Sequence, residues 1–494
     1  MTAPNSTSDP TYKSPAYSEM EPGWTLVRDI RGGTDAIRAK RATYLPSFEA
    51  EHVNDYNARV GMTFAFDALD ETIHAMVGIA TRNDPVLEDD VPERIVLEWE
   101  NVDGQRNHGA VFAQHVLEAA IQDGHCAILA DFPPAPVGLT LADEQRLGFR
   151  AYAVLVTIDQ ITAWRVGVIN GKQCLTMVKI AESVEQEDGD FGTAVVERFR
   201  IFRQQVDDED NPFVTYEVLT KTGIENGVST FTSSGIGTMR GPKWIPLFPV
   251  YGGEQTGILE SKPPLRGLAY SNLDHTQVKS DRRYAMHKCA VPMPLFIGRT
   301  PTAEPADGQR RVGANWGFDV QLGGDFKWVG PSGTGLSDLR DELTDIEGRM
   351  GPQGFSMLKR DTKANKTATE SQIEEAKGES KLSRAVRSLN DGLEGMVQAF
   401  ADFYGLPEGG SVTLQREFAD TVLEPEEMRI LMELEQAGEL TIGTLLGELQ
   451  KGGRLLQGVD LDEEEEALKR QRAMEPTPPE PTPQPAPITV PAAA

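Results

Sequence analysis

The sequence predicts an α+β chain with more than one packing unit, on three observations. Hydrophobic residues recur at helical spacing before residue 124 and again after residue 262. Between these stretches, residues 149–260 run through segments rich in Val, Ile, Thr and aromatics. Turn signals such as Asn170-Gly171 and Asn226-Gly227 separate them, as in an antiparallel sheet. Finally, 494 residues exceed what one small core organises and suggest roughly two to four packing units.

Taken in order, residues 1–23 are polar and Pro-bearing and predict a flexible arm. A short helix is expected after Gly32-Gly33, with Ile37, Arg38 and Arg41 near its centre. From Ser47 to Thr81, the residues Phe48, Tyr56, Val60, Phe64, Leu69, Ile73, Met76 and Val77 fall mostly three or four apart. That spacing predicts one kinked helix or two, with Gly61 as the weak point. Residues 107–123 predict an amphipathic helix stopped by Gly124, and 126–132 a short buried strand. After the sheet, WIPLFPVYGG at 244–253 closes the unit with a Pro-punctuated apolar run.

A long, mostly polar helix is predicted after Pro263-Pro264. Short strands broken by Gly and Pro follow, then a helix with Leu336, Leu339, Leu343, Ile346 and Met350 on one face. Asp338, Asp341, Glu342 and Asp345 cover its other face. A polar helix is stable only between neighbours or facing solvent in a larger assembly. Thr367 to Glu370 fits a capping box. Beyond it, Leu382, Val386, Leu389, Leu393, Met396, Phe400 and Phe403 predict one long helix. Residues 411–472 predict a short strand and acidic helices, and 475–494, with eight prolines and no aromatic, a disordered tail.

The formal net charge of −28 argues against non-specific nucleic-acid binding over the whole surface. Cys126, Cys174 and Cys289 have neither disulfide-framework nor zinc spacing, so a reducing compartment and buried or half-buried thiols are expected. The N-terminal stretch has no apolar core of a signal peptide, and no run of 18 apolar residues occurs. No secretory signal and no membrane contact are expected.

Catalytic motifs are scarce. GPSGTGLS at 330–337 follows a strand and opens a helix, as a phosphate-binding loop does, but Leu336 stands where that loop needs its lysine. The seven histidines include no HExxH and no metal-ligand spacing, and no G-x-S-x-G elbow occurs. His108 and His115 share a helix face without further ligands. Asp207-Asp208-Glu209-Asp210 reads as a solvated turn, or, as an alternative, as a metal site in an α+β hydrolase. No cofactor is expected. The basic loop KRDTKANK holds Lys359, Arg360, Lys363 and Lys366 against Asp361. In an acidic ring, such a loop would touch DNA phosphates without gripping them, because phosphate affinity scales with the charges neutralised.

The order of several blocks resembles the bacteriophage portal proteins of tailed phages. These are WTLVRDIRGGTDAIRAKRATYLP, DYNARVGMTF, GHCAILADFPP, IPLFPVYGG, PPLRGLAYSNLDHTQVKSDRRYAMHKCAVP, and the run from GFSMLKRDTKANK to AFADFYG. Together they span roughly 24–405, and no single motif is diagnostic. The resemblance implies a portal fold assembled as a ring, a dodecamer in the virion, with no enzymatic activity. It implies a wing of helices plus antiparallel sheet over 24–262, a stem helix at 263–290 and a clip at 291–333. A return stem helix at 334–358, a tunnel loop at 359–367, a wing-to-crown helix at 368–410 and an acidic helical crown at 411–474 complete it.

Implied site residues follow the same regions. Lys359, Arg360, Lys363 and Lys366 would border the DNA channel. His275, Lys279, Arg282, Arg283 and His287 would form a basic stem face. Arg299, Arg310, Arg311, Trp316 and Trp328 would meet the head–tail adaptor from the clip. Implied partners are further copies of the chain, the terminase large subunit, the adaptor, the major capsid protein and double-stranded DNA passing without sequence specificity. The implied location is the capsid portal vertex, after synthesis in the host cytoplasm. Another ring component, such as an adaptor, is an alternative that the stem–clip–stem order suits poorly.

Overall fold

A computed structural model describes residues 9–49, 51–133, 146–225, 228–290, 293–297, 325–329, 334–354, 368–414, 429–430, 432–434, 441–451 and 470. The chain divides into two compact units, Met1–Phe418 and Ala419–Ala494.

The first unit is mixed helix and antiparallel sheet. It opens with α1 (Pro15–Arg31), α2 (Gly33–Lys40), α3 (Val53–Met62) and α4 (Ala68–Ala80). Residues 15–23 thus differ from the expected arm. Pro22 stands inside this helix, but Ser14 caps it and Tyr17, Trp24, Leu26, Val27 and Ile30 bury one face. That burial outweighs the cost of an internal proline. Of the one kinked helix or two expected within 47–81, the structure has two, and the break falls at 63–67, just past Gly61. Phe48 and Phe64, placed by spacing on the buried face, are about half exposed (52% and 50%) and carry the guanidinium groups of Arg59 and Arg38 instead.

Next come β1 (Val86–Leu87), α5 (Glu93–Trp99), α6 (Gly109–Asp123) and β2 (His125–Asp131). Gly124 ends α6 at φ 100°, a left-handed value that suits glycine. Every residue of β2 is buried. Its side chains alternate between two cores: Cys126, Ile128 and Ala130 pack with the helices, while Ala127 and Leu129 pack toward a second cluster. A continuous apolar strand is what two-sided burial demands.

β2 is the centre of a three-stranded antiparallel sheet, between β3 (Tyr152–Thr157) and β9 (Leu247–Tyr251). The predicted sheet at 149–260 is therefore divided. Its middle forms a separate five-stranded meander of β4 (Ile161–Ile169), β5 (Lys172–Asp188), β6 (Gly192–Val206), β7 (Pro212–Glu225) and β8 (Val228–Thr238). Asn170 and Gly171 both take positive φ (51° and 75°), closing the β4–β5 hairpin as their pairing predicts. Asn226-Gly227 lies outside the described residues. The second cluster joins the two sheets through Val178, Ile180, Phe202 and Val214 against Ala127, Leu129 and Leu247.

β10 (Glu254–Gly257) and β11 (Glu260–Lys262) form a short hairpin ahead of α7 (Arg266–Ala290). β12 (Met293–Ile297) pairs antiparallel with β13 (Asp325–Val329), and α8 (Thr334–Met350) follows. The 37-residue α9 (Ala368–Tyr404) crosses the main core, burying Leu382, Val386, Leu389, Leu393, Met396, Phe400 and Phe403. Its sequence carries Gly392 and Gly395 because the helix lies close to β9. A Cβ at Gly395 would stand 2.4 Å from the Phe248 ring. β14 (Val412–Thr413) pairs with β1. In the second unit, α10 (Ile442–Lys451) is capped by Thr441, whose hydroxyl accepts from the Thr444 amide. The expected tail at 475–494 lies outside the described residues.

Gly252 leaves no such room either. A Cβ there would meet the Ala120 carbonyl oxygen of α6 at 2.2 Å, and neither backbone can retreat. Gly252→Ala should therefore lower stability by about 1–3 kcal/mol. Chemical denaturation of the purified chain measures this, and an unchanged midpoint would contradict the close approach.

Candidate functional site

The α7–α8 pair holds several of the polar side chains that sequence left unexplained. α7 and α8 run antiparallel: Ser271 donates to Gln353 at 2.9 Å, and His275 Nε2 meets Glu347 at 3.4 Å. Arg349 lies 3.5 Å from Asp274 and 3.2 Å from Glu342. Leu268, Ala269, Ile346 and Met350 join the main core beneath them.

The other flank of α7 binds α3 and the loops around it. Gln277 donates to the Tyr44 carbonyl at 2.7 Å, and Ser280 shares a hydrogen bond of 2.7 Å with Thr63. Arg283 donates to the Met62 carbonyl at 3.0 Å and covers the Phe64 ring. Arg38 takes the neighbouring carbonyls of Gly61 and Thr63. Together the two arginines satisfy the open carbonyl end of α3, where positive charge is favoured. Part of the polarity of α7 is answered within its own chain, by Tyr44, Met62, Thr63, Glu347 and Gln353.

Arg59 is the densest of these contacts and was not legible as a site residue. Its guanidinium grips both Glu51 oxygens at 2.9 Å, donates to the Pro46 carbonyl at 2.6 Å and reaches Asp281 of α7 at 3.3 Å. The rings of Phe48 and Tyr56 lie against it. Both ion-pair side chains, Arg59 and Glu51, are only 3% exposed. The hydrogen bonds from Arg59 hold the Glu51 carboxyl below its ordinary value. The one sequence signal was an arginine on the same helical face as Tyr56 and Val60.

The five residues of the expected basic stem face do not form one exposed stripe. His275 is buried at 4% exposure between α7, α8 and the Phe66 ring, 4.7 Å away. Burial lowers its pKa, against the pull of Glu347. Its Nδ1, Asn272 Oδ1 and Arg282 Nε are buried without partners among the described residues. Lys279 lies over Phe66, while Arg283 and His287 are exposed.

Arg299, Arg310, Arg311 and Trp316 of the expected clip, and Lys359, Arg360, Lys363 and Lys366 of the expected tunnel loop, lie outside the described residues. Trp328 stands in β13 with its backbone opposite Pro294, and its side chain lies outside the description. The phosphate-loop candidate is described only from Thr334 onward, where α8 begins. Asp207 is used by its own hairpin turn, accepting from the amides of Glu209 and Asn211 at 2.9 and 2.8 Å. Among the described residues, no group of three or more His, Cys, Asp or Glu side chains could hold a metal ion. His108 caps α6 by accepting from the Ala110 amide, and His115 is exposed on the same helix. Cys126 is buried and Cys174 half-buried. Among the described residues, no helix is long and apolar enough to cross a membrane.

No curated protein matches the chain. Solved structures similar to it include the neck of an empty GTA particle computed with C6 symmetry, at TM-score 0.39 and 10% identity over 78% of this chain and 90% of that one. The neck of the native GTA particle computed with C12 symmetry aligns at TM-score 0.35 and 11% identity, covering 78% and 89%. A chain from the virion of the native gene transfer agent particle aligns at TM-score 0.37 and 12% identity, covering 83% and 96%. Residues 264–404 match a family described as a domain of unknown function, DUF4055. That segment opens just ahead of α7 and closes on Tyr404, the last residue of α9.

Proposed function

We propose that the chain is the subunit of a portal ring at one capsid vertex, through which double-stranded DNA enters and leaves. The observation that carries this reading is the antiparallel packing of α7 and α8, with the paired strands β12 and β13 between them in sequence, followed by the 37-residue α9 rooted in the core. Two antiparallel helices packed on an α+β core suit a wall element repeated around a channel. In this reading α7 and α8 are the stem, β12 and β13 belong to the clip, and the two sheets belong to the wing. Residues 411–474 form the crown, and Lys359, Arg360, Lys363 and Lys366 border the DNA. Partners are further copies, twelve in the virion, the terminase large subunit, the head–tail adaptor and the major capsid protein. The ring itself hydrolyses nothing.

Particles assembled without this chain should form shells that lack DNA. Particles carrying a chain with Lys359, Arg360, Lys363 and Lys366 all changed to Ala should keep the ring and lose packaged or retained DNA. Nuclease-protected DNA per particle measures both. Normal DNA content without the chain would overturn the proposal, whereas normal content in the quadruple variant would remove only the role of those four side chains.

A further inference from the structure

The two flanks of the α7–α8 pair carry opposite charge without ion-pair partners among the described residues. On α8, Asp338, Asp341 and Asp345 are exposed and lie three and four residues apart, opposite the buried Leu343, Ile346 and Met350. Among the described residues no cation pairs with any of the three. On α7, Lys279, Arg283 and His287 are four residues apart and share one face. Among the described residues no carboxylate pairs with Lys279, Arg283 or His287. Aromatic rings and carbonyl oxygens hold Lys279 and Arg283 in place but leave their charge unanswered.

Position and pitch agree with the charges. At about 100° per residue, the α7 side chains that meet α8 and those that meet α3 are centred about 150° apart. The acidic face of α8 and the basic end of α7 near Phe64 therefore belong to opposite flanks. Along the axes, Asp338 to Asp345 spans about 10.5 Å and Lys279 to His287 about 12 Å, at 1.5 Å per residue. The two stripes match in length.

We propose that the Asp338/Asp341/Asp345 stripe of one copy docks on the Lys279/Arg283/His287 stripe of the next. Two-fold pairing through either stripe would set like charge against like charge. Head-to-tail docking satisfies both, and a repeated head-to-tail contact that closes is a ring. The inference rests on the portal reading only in requiring that copies associate. It assigns the basic flank of α7 to a neighbouring copy rather than to DNA.

Sedimentation velocity of the full chain, without DNA, tests this in four samples at low and at raised salt. The wild-type chain should associate, less so as salt screens the contact. Asp338→Lys/Asp341→Lys/Asp345→Lys and, separately, Lys279→Glu/Arg283→Glu should each associate about a hundredfold more weakly. An equal mixture of the two variants should regain association, since each now complements the other. The α8 variant changes only exposed residues, so its thermal midpoint should stay near that of the wild-type chain. Wild-type association retained in the folded α8 variant would overturn the docking and leave the ring reading standing. Loss of DNA binding alone in the Lys279/Arg283 variant, with association unchanged, would reassign that stripe to phosphate. A wild-type chain that stays monomeric would overturn both.

Discussion

Arg59→Ala should destabilise the first unit by about 3–5 kcal/mol, because it strands the Glu51 carboxylate in a site that is almost closed to water. The Glu51 side chain is 3% exposed, and two of its hydrogen bonds come from the lost guanidinium. Alanine would also remove the donor to the Pro46 carbonyl and the ion pair to Asp281. Arg59→Lys should recover only part of the loss. A lysine keeps the charge but cannot grip both Glu51 oxygens while reaching Pro46 and Asp281. Urea unfolding of the two variants checks the order. Because Asp281 belongs to α7, the same substitution should raise hydrogen exchange along residues 277–284. A loss under about 1 kcal/mol would mean that water already reaches Glu51.

Acidification should cost about 3 kcal/mol between pH 6.5 and pH 4, through His125 alone. Its ring is 1% exposed, shares a hydrogen bond of 2.8 Å with Ser261 and lies 5.8 Å from Tyr251. Burial pushes its pKa down to about 3 from the ordinary 6.5. The folded chain therefore resists the proton that the unfolded chain accepts below pH 6.5. The stability this gives is complete above that pH and is lost progressively as pH falls toward 3. The lowered carboxyl of Glu51, held by Arg59, acts in the same direction at lower pH. His125→Gln should be less stable at pH 7 and should show a flatter stability profile from pH 6.5 to 4. A variant profile as steep as that of the wild-type chain would assign the acid sensitivity elsewhere.

Local signals in the sequence carried the elements whose reasons are local. α9 is legible from Leu382 to Phe403 because one face repeats every three or four residues and is buried along its length. Gly124 and Asn170-Gly171 mark a helix end and a hairpin because positive φ excludes most residues. What failed was non-local. α1 runs through Pro22-Gly23 because Tyr17 and Trp24 pack around Ile158, more than 100 positions further along. The division of one predicted sheet into two follows from β2 pairing with β9, His125 opposite Tyr251, which no turn signal announces. α7 reads as an unpaired polar helix until Tyr44, Arg59, Thr63 and Glu347 are set around it. The acidic stripe of α8 was visible in the sequence, but its relation to the basic end of α7 needed the antiparallel register of the two helices.

The portal reading is tested most directly by imaging the purified chain by negative-stain electron microscopy at micromolar concentration. Rings with a central hole are expected, with class averages that show repeated subunits around one axis. Monodisperse single subunits, with no ring at any salt concentration, would contradict that reading.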